Sequence, residues 1–348
     1  MAFSAIIKPT DYFNTKLYTG NFSTNAITGV GFQPDLTWIK TRTTAGENHY
    51  LFDVIRGVTK YLHSDTNAAQ GTNAATLTTF GSDGFTVGAN NSVNKSGEPL
   101  VSWNWKANGA GSSNTDGSIT STVSVNTTSG FSISTYTGNG TSGATIGHGL
   151  GVAPAVVLVK RLNATSDWVM YHKGMGASKF IVLNTTAEQA SSAGIFYNTA
   201  PTSSIFYVGS DGATNASGGT YVAYCFADVQ GFSKMGSYVG NGSNDGSFIY
   251  TGFKPAFVLI RGTELPAGTD WYIFDSKREG YNLNDTELQP NNSGIESTDQ
   301  TSIDILSNGF KCRNSNNNTG GNGEPYIYMA FAEAPFVANS GESIPTTA

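Results

Sequence analysis

The stretch GHGLGVAPAVVLVKR, residues 147–161, has two interpretations. Gly147, Gly149 and Gly151 are spaced every second residue, as in a glycine-rich loop that binds phosphate. Such a loop leads into a helix whose amino terminus faces the anion. Here the glycines lead to Pro154 and a β-branched run, with no Gly-Lys-Ser/Thr ending. The stretch therefore predicts a tight turn followed by a strand, with the proline fixing φ at the start of the strand.

Two other segments of the chain repeat the pattern around this stretch. Residues 135–161 read TYTGNGTSGATIGHGLGVAPAVVLVKR, residues 17–42 read LYTGNFSTNAITGVGFQPDLTWIKTR, and residues 237–262 read SYVGNGSNDGSFIYTGFKPAFVLIRG. Each contains Tyr-x-Gly-Asn and then a proline, which starts an apolar run that reaches a basic residue. The proline and the apolar run recur but the glycine spacing does not, which favours the structural interpretation.

The correspondence continues in the same order through the rest of each segment. NHYLFDVIRG, DWVMYHKG and DWYIFDSKREG are aligned on Tyr50, Trp168 and Trp271. They are followed by KYLHSDT, KFIVLNTT and GYNLNDT, and the copies close with GEPLVSWNWKA, GGTYVAYCFAD and GEPYIYMAFAE. Landmarks that recur in one order at similar spacings predict an internal triplication.

The triplication predicts three domains and a tail. The domains are residues 1–108 (unit 1), 109–229 (unit 2) and 230–335 (unit 3), followed by a polar tail over residues 336–348. Unit 2 begins with a Gly/Ser hinge and an alternating stretch, residues 118–125, that predicts an additional edge strand. A unit of roughly 100 residues is long enough to bury its own core, so we expect each unit to form a separate domain.

Composition and turn spacing predict the fold class. The chain has 42 glycines, 16 tyrosines and 20 phenylalanines among many Asn, Ser and Thr residues. Such a composition favours strands joined by tight turns. The best helix candidate, residues 53–62, is interrupted by Gly57. We therefore predict an all-β protein of three tandem antiparallel β-sandwich domains with a jelly-roll-like arrangement.

Charge and cysteine content exclude several classes of protein. A formal net charge of −6 argues against a partner nucleic acid, which would require a basic surface. Two cysteines provide no disulfide framework. No apolar run reaches membrane-spanning length, so no membrane insertion is expected. The start, MAFSAIIKPTDYF, lacks the features of a secretory signal, which predicts synthesis in a cytoplasm.

The histidines and cysteines do not form a recognisable catalytic or metal-binding pattern. His172 corresponds to Asp53 and Asp275, so that position accepts different polar groups. The sequence contains no His-x-x-x-His, Cys-x-x-Cys or Gly-x-Ser-x-Gly motif. We predict no catalytic residue, no cofactor and no metal site, and we expect both cysteines to be buried. The residues considered were His49, His63, His148, His172, Cys225 and Cys312.

Paired carboxylates provide the only candidates for a hydrolase. Glu98 with Glu324, and Asp53 with Asp275, occupy corresponding positions in units 1 and 3. A glycoside hydrolase uses two such acids, but unit 2 has Gly219 and a histidine at these positions. We favour a structural role for these acids. A site assembled between units remains an open alternative.

Oxygen-rich turns and tryptophans also have both a structural and a functional interpretation. The turns at residues 81–84, 209–212 and 241–247 contain calcium-type ligands but do not match the twelve-residue calcium loop. Ordinary Asx turns are the favoured interpretation. The tryptophans would stack on sugar rings if they were exposed, but strand-like surroundings favour core packing. They are Trp38, Trp103, Trp105, Trp168 and Trp271.

Several phrases of unit 1 are similar to a known kind of domain. They are MAFSAIIKPTDYFNTKLYTGN, GFQPDLTWIKTR, LFDVIRG and DGFTVGANNSVNKSGEPLVSWNWKA. Together they resemble an uncharacterised repeat domain of marine bacteriophage structural proteins, which are usually described as tail-fibre or virion proteins. The resemblance covers nearly the whole chain and brings no catalytic residues. It implies a role on a virion rather than a reaction.

We therefore expect a non-enzymatic protein of the bacteriophage virion surface, either a capsid decoration or a tail or fibre appendage subunit. Its location would be the virion, after synthesis in the host bacterial cytoplasm. Its expected partners are other virion proteins and itself, as a homotrimer or a pseudo-threefold unit.

Two alternatives remain open. A glycan-binding module for host recognition predicts aromatic rings exposed beside polar groups, although the sequence assigns no binding residues. A polysaccharide depolymerase, which we favour less, predicts two acids facing one groove.

Overall fold

The computed structural model describes residues 6–264, 269–298 and 302–335. Most of its regular structure is strand, and the sheets are antiparallel. The prediction of an all-β protein is confirmed. No helix in the described part of the chain is long and apolar enough to cross a membrane. The tail predicted over residues 336–348 lies outside the described residues.

Unit 1 forms two larger antiparallel sheets and one two-stranded sheet. Its elements are β1 (Phe13–Thr19), β2 (Asn25–Thr28), β3 (Leu36–Thr41), β4 (Tyr50–Asp53), β5 (Lys60–Tyr61), β6 (Gly71–Thr72), β7 (Leu77–Gly81), β8 (Gly84–Val87), α1 (Asn91–Asn94) and β9 (Pro99–Trp105), after a 3-10 turn at Pro9–Asp11. The sheets have the orders β1-β9-β3-β4 and β2-β8-β7, and β5 pairs with β6. The helix candidate at residues 53–62 is a turn between β4 and β5, where Gly57 has a φ of +88°.

Unit 2 has a larger sheet because it carries added strands. Its elements are β10 (Ser112–Asn114), β11 (Ser121–Asn126), β12 (Phe131–Thr137), β13 (Ala144–Gly147), β14 (Val156–Arg161), β15 (Val169–His172), β16 (Lys179–Val182), β17 (Ala190–Ser191), α2 (Ala193–Phe196), β18 (Ile205–Val208), α3 (Gly212–Asn215) and β19 (Thr220–Phe226), with a 3-10 turn at Lys173–Met175. The sheet order is β10-β11-β12-β19-β14-β15-β16-β17, and β13 pairs with β18.

Two local predictions in unit 2 concern its added strand and its glycine turn. A strand, β11, overlaps the predicted stretch, but the prediction that it forms the edge is wrong, because β10 pairs outside it. Gly149 and Gly151 adopt φ values of +69° and +74° in a turn that leads to β14. The stretch GHGLGVAPAVVLVKR is therefore a turn and a strand, as predicted.

Unit 3 again forms two antiparallel sheets. Its strands are β20 (Ser233–Val239), β21 (Phe248–Tyr250), β22 (Phe253–Gly262), β23 (Tyr272–Asp275), β24 (Ile303–Leu306), β25 (Gly309–Cys312) and β26 (Pro325–Pro335). The orders are β20-β26-β22-β23 and β21-β25-β24. The same four-strand order is thus present in each unit, as β1-β9-β3-β4, β12-β19-β14-β15 and β20-β26-β22-β23.

Strand register corrects two details of the sequence alignment. The residue before β4 that corresponds to Trp168 and Trp271 is His49, because Tyr50 pairs in the register of Val169. In unit 3, the stretch GYNLNDT does not take the place of KYLHSDT. That place belongs to the residues around Leu288, and the pairs that show it are Leu51–Leu62, Met170–Ile181 and Ile273–Leu288.

Buried side chains lie on both faces of the larger sheets. On β3, Ile39 packs inside unit 1, whereas Leu36 and Trp38 join a second cluster that contains residues from all three units. On β14, Val157 packs inside unit 2 and Leu158 joins the second cluster. Side chains alternate between the two faces of a strand, so the larger sheets of units 1 and 2 each contribute to two cores. The buried apolar residues that the structure describes in unit 3 all belong to the second cluster. This shared core was not part of the prediction of three separate domains.

Equivalent backbone hydrogen bonds join the units in a ring. The Gln70 N–H donates to the Leu162 carbonyl at 2.9 Å, from unit 1 to unit 2. The N–H of Gln189 donates to Thr263 at 2.8 Å, from unit 2 to unit 3. The N–H of Glu296 donates to the Arg42 carbonyl at 2.8 Å, from unit 3 back to unit 1. The three units therefore close around their shared core.

Candidate functional site

The corresponding residues Asp53, His172 and Asp275 lie at the joints between units. Asp53 forms a buried ion pair with Arg56 in its own unit and accepts a hydrogen bond from the Tyr224 hydroxyl of unit 2 at 2.8 Å. Nε2 of His172 lies 3.1 Å from the Tyr328 carbonyl of unit 3. The same position therefore connects unit 1 to unit 2 and unit 2 to unit 3.

Asp275 completes this set of joints. It pairs with Arg278 at 2.5 Å and accepts a hydrogen bond from Nε1 of Trp103 in unit 1 at 3.1 Å. Its side chain is fully buried, as is that of Asp53. Each of these acids is thus held by a cation of its own unit and a donor of the next unit, which is a structural arrangement.

The four histidines are partly or fully buried, and His172 forms one of these joints. Burial lowers the pKa of His172 to about 4, and the Tyr328 carbonyl opposes that shift. Burial also lowers the pKa of His49, whose Nδ1 accepts a hydrogen bond from Trp38 Nε1 at 2.9 Å. His148 is buried beside the Thr202 carbonyl, and His63 packs edge-on against Tyr50.

The cysteines are buried, as the sequence predicts. Burial raises the pKa of Cys225 to about 12 and that of Cys312 to about 11. Both thiols are therefore protonated at neutral pH, and a protonated thiol is a poor nucleophile.

The other pair of carboxylates occupies turns. Glu98 accepts hydrogen bonds from the backbone N–H and hydroxyl groups of Thr43 and Thr44, at 2.6 to 2.9 Å. Burial raises the pKa of Glu98, but these hydrogen bonds outweigh it and lower the pKa overall. Glu324 lies in the turn before β26, where its carbonyl accepts from the Gly240 N–H.

The oxygen-rich turns use their acids as local hydrogen-bond acceptors and ion-pair partners. Asp83 accepts from the backbone N–H groups of Gly29 and Gly31, at 2.9 and 2.8 Å. Asp211 caps α3, and Asp245 pairs with Lys311 at 2.5 Å. Among the described residues, no group of three or more His, Cys, Asp or Glu side chains is placed to hold a metal ion.

All five tryptophans are buried, with at most 5% of any of them exposed. Nε1 of Trp168 donates to the His63 carbonyl at 2.7 Å, and Nε1 of Trp271 donates to the Val182 carbonyl at 3.1 Å. Both bonds cross between units. Core packing, which the sequence favours, is confirmed for the tryptophans, and they are not available to stack on a sugar.

A polar cleft in unit 3 is the best candidate for a binding site. Its volume is about 720 Å³, and we call it the unit-3 cleft. Tyr281 lies at this cleft, and 70% of the residue is exposed. The cleft is lined by Lys254, Ser276, Lys277, Gly280, Tyr281, Asn282, Asn284, Ile305, Ser307 and Glu333.

Hydrogen-bonding groups line the unit-3 cleft. Glu333 pairs with Lys254 at 2.9 Å and with Lys277 at 3.2 Å. Asn284 is buried and donates from Nδ2 to the Asp275 carbonyl at 3.0 Å. Its Oδ1 and the Ser276 Oγ have no hydrogen-bond partner in the described part of the chain.

The local sequence does not reveal this cleft, because GYNLNDT, residues 280–286, resembles KYLHSDT and KFIVLNTT without taking their place in the fold. A signal was present in the separation of the paired residues, which is 11 for Leu51–Leu62 and for Met170–Ile181 but 15 for Ile273–Leu288. Unit 3 therefore carries four additional residues at the cleft.

Comparison with curated proteins found no match, and comparison with solved structures found none. A family model described as Domain of unknown function (DUF7483) matches residues 8–335. The match covers all three units in one model. The chain therefore belongs to the DUF7483 family.

Proposed function

We propose that the chain is a non-enzymatic structural protein of a bacteriophage virion surface, as a capsid decoration or a tail or fibre appendage subunit. The observation that carries the proposal is the ring of three units closed by equivalent hydrogen bonds. The resemblance of the unit 1 phrases to phage structural proteins supports the virion location. The engagement of Asp53 and Asp275 in buried ion pairs supports a structural role for these acids.

We also propose that the units arose by triplication of one jelly-roll-like sandwich. The repeated strand order supports this origin. So does the recurrence of a buried cation at one position, as Lys40, Lys160 and Arg261. Under this proposal, the joints on Asp53, His172 and Asp275 are three versions of one ancestral contact.

The ring of three units also indicates how the chain associates with itself and with other virion proteins. A homotrimer of a single sandwich would bury the face that this chain already buries internally. We therefore propose a pseudo-threefold monomer that presents three related surfaces to other virion proteins. Light scattering after size exclusion should give a mass near 36.6 kDa. A trimer mass would contradict this part of the proposal.

Virion location is tested directly on particles. Mass spectrometry of purified virions should detect the chain at a fixed ratio to the major capsid protein, and a cryo-EM map should contain a three-lobed density of matching size. The appropriate control is a lysate protein of similar abundance, which should be lost on purification. Absence of the chain from purified particles would overturn the proposal.

The unit-3 cleft favours glycan binding as a second candidate function. Tyr281 is an exposed aromatic ring beside amide, hydroxyl and charged groups, which are typical of a saccharide site. A glycan array probed with the intact protein tests this function independently of virion location. The depolymerase alternative has no comparable support, because two of its acids, Asp53 and Asp275, are held at the joints between units.

A further inference from the structure

One side of the unit-3 cleft is formed by residues that the repeated fold does not require. Units 1 and 2 make the corresponding connection with four fewer residues, and the strand order is the same in all three units. The additional segment holds Tyr281 and Asn282 at the cleft. Asn282 is fixed there by two bonds to Ile305, since its Nδ2 donates to the carbonyl at 2.9 Å and its Oδ1 accepts from the N–H at 2.9 Å. The segment is therefore held in place although its aromatic ring remains open to solvent.

The groups in the cleft match the chemistry of a sugar. A sugar ring offers an apolar C–H face, which packs on an aromatic ring, and hydroxyls that both donate and accept hydrogen bonds. Tyr281 offers the ring, and Asn284 Oδ1 and Ser276 Oγ are polar atoms that still lack partners in the described chain. A buried polar group without a partner is costly, so a ligand that supplies one gains affinity.

The charge in the cleft indicates which sugars it favours. Lys254 and Lys277 both pair with Glu333, so two positive charges face one negative charge. Lys277 also lines an adjoining cleft of about 480 Å³ together with Lys16. The charged side chains that line the cleft therefore leave one positive charge in excess, on a protein whose net charge is −6. The neighbouring Glu279 carboxylate accepts hydrogen bonds from the backbone N–H groups of Asp285 and Thr286. An anionic substituent on the sugar would compensate the excess charge.

We propose that the unit-3 cleft binds a saccharide that carries a carboxylate, with Tyr281 stacked on a sugar ring and Lys277 facing the carboxylate. The proposal rests on the second candidate function, glycan binding, and assigns it a place and a ligand class. It does not depend on virion location, because it concerns one cleft of the isolated chain.

The test uses the full chain on an array of neutral and uronate-containing oligosaccharides, followed by calorimetric titration of the best binder and of its uncharged methyl ester. We expect a uronate to bind and its methyl ester to bind more weakly. Tyr281→Ala should weaken binding by about tenfold or more, because the stacked ring contributes apolar contact. Lys277→Gln should reduce the difference between the uronate and its ester.

Matched controls separate the cleft from general effects. Tyr250→Ala removes another exposed tyrosine of unit 3, and Lys60→Gln removes an exposed lysine of unit 1. Both should bind like the parent chain, and all variants should keep the parent melting temperature. Failure to bind any saccharide would overturn the proposal, as would equal binding of the Tyr281→Ala variant or equal affinity for the ester. None of these outcomes changes the result of virion mass spectrometry, so the two proposals fail separately.

Discussion

At the scale of single residues, one position at the joints between units is occupied by an acid in units 1 and 3 and by a histidine in unit 2. Asp53 and Asp275 accept from a side chain of the next unit, Tyr224 or Trp103. In unit 2 the acid is replaced by His172, and the corresponding residue of the next unit is Met329, whose side chain has no hydrogen-bond donor. His172 contacts the carbonyl of the neighbouring Tyr328 instead. At this joint the histidine donates to a carbonyl of the next unit, whereas at the other two joints the acid accepts from a side chain of the next unit. All three pairs of units therefore keep a hydrogen bond at this position.

Removing one joint donor should destabilise the protein measurably. Tyr224→Phe leaves Asp53 without its 2.8 Å partner in a buried site. Hydrogen bonds to charged groups contribute about 1.5–3 kcal/mol, so the free energy of unfolding should fall by about that amount. Chemical denaturation measures the change. Tyr197→Phe, at a residue that is 44% exposed, is the control and should stay within about 0.5 kcal/mol of the parent. Equal stability of the two variants would show that this joint contributes nothing.

His172 should make stability depend on pH. Burial lowers its pKa to about 4, whereas the unfolded chain titrates near the ordinary value of 6.5. Between these values the unfolded state binds the proton and the folded state does not, so stability falls as the pH falls from 6.5 to 4. The pKa values of the other three histidines are also lowered, whereas that of Asp65 is raised to about 6 and acts in the opposite direction.

A variant isolates the contribution of His172. Asn in its place keeps an acceptor for the Gly174 N–H, as Asp53 does for Arg56. The loss of unfolding free energy between pH 7 and 4.5 should be smaller in His172→Asn than in the parent, by on the order of 2–3 kcal/mol. Denaturant titrations at the two pH values measure the difference. Parallel pH profiles would mean that His172 is not held neutral.

At the scale of elements, strand β13 shows how a glycine is selected by packing rather than by a ligand. Gly147 pairs with Ile205, and a Cβ at residue 147 would lie 1.6 Å from Oδ1 of Asn114 on the added strand β10. Units 1 and 3 have Thr28 and Tyr250 at the corresponding place on their strands. The glycine is therefore specific to the unit that carries the added hairpin.

Gly147→Ala should force Asn114 to move. We expect a cost of about 0.5–1.5 kcal/mol, because the Asn114 side chain is partly exposed and its movement mainly breaks the hydrogen bond from the Asp116 N–H to its Oδ1. Asn114→Gly should restore most of the loss when combined with Gly147→Ala, since it removes the atom in conflict. A double-mutant cycle in chemical denaturation measures the coupling, and additive effects would exclude the contact as the cause.

At the scale of the whole molecule, the shared core makes the three units depend on one another. Unit 2 alone would expose its central face to water, including Val156, Leu158, Val222, Tyr224 and Phe226. Exposed apolar patches of this kind favour association. Units that share a core are also expected to unfold together.

Calorimetry tests this dependence. The intact chain should unfold in one transition whose calorimetric and van't Hoff enthalpies agree. Residues 109–229 expressed alone should aggregate or lack a cooperative transition. Three separate transitions, or a stable isolated unit 2, would instead show that the units are independent domains.

Much of the secondary structure followed from local sequence, because turns and strands have local causes. Glycine and proline placed the turn before β14, and β-branched runs predicted strands. Repeated landmarks predicted the correspondence of Lys40, Lys160 and Arg261, which the structure buries at equivalent positions. Around residues 280–288 the sequence of unit 3 resembles a strand of the other units, and this resemblance conceals the four additional residues before Leu288.

The sequence by itself determined the all-β class and the turn and strand at residues 147–161, and it favoured the core for the tryptophans. Only the tertiary structure decided which side chains pack against each buried face of the larger sheets. The run AVVLVK is apolar at every position but its last, so periodicity does not distinguish one buried face from two. The joint on Asp53 and Tyr224 and the cleft beside Tyr281 both depend on residues far apart in the chain. Such neighbours are set by the packing of whole sheets, which no local pattern records.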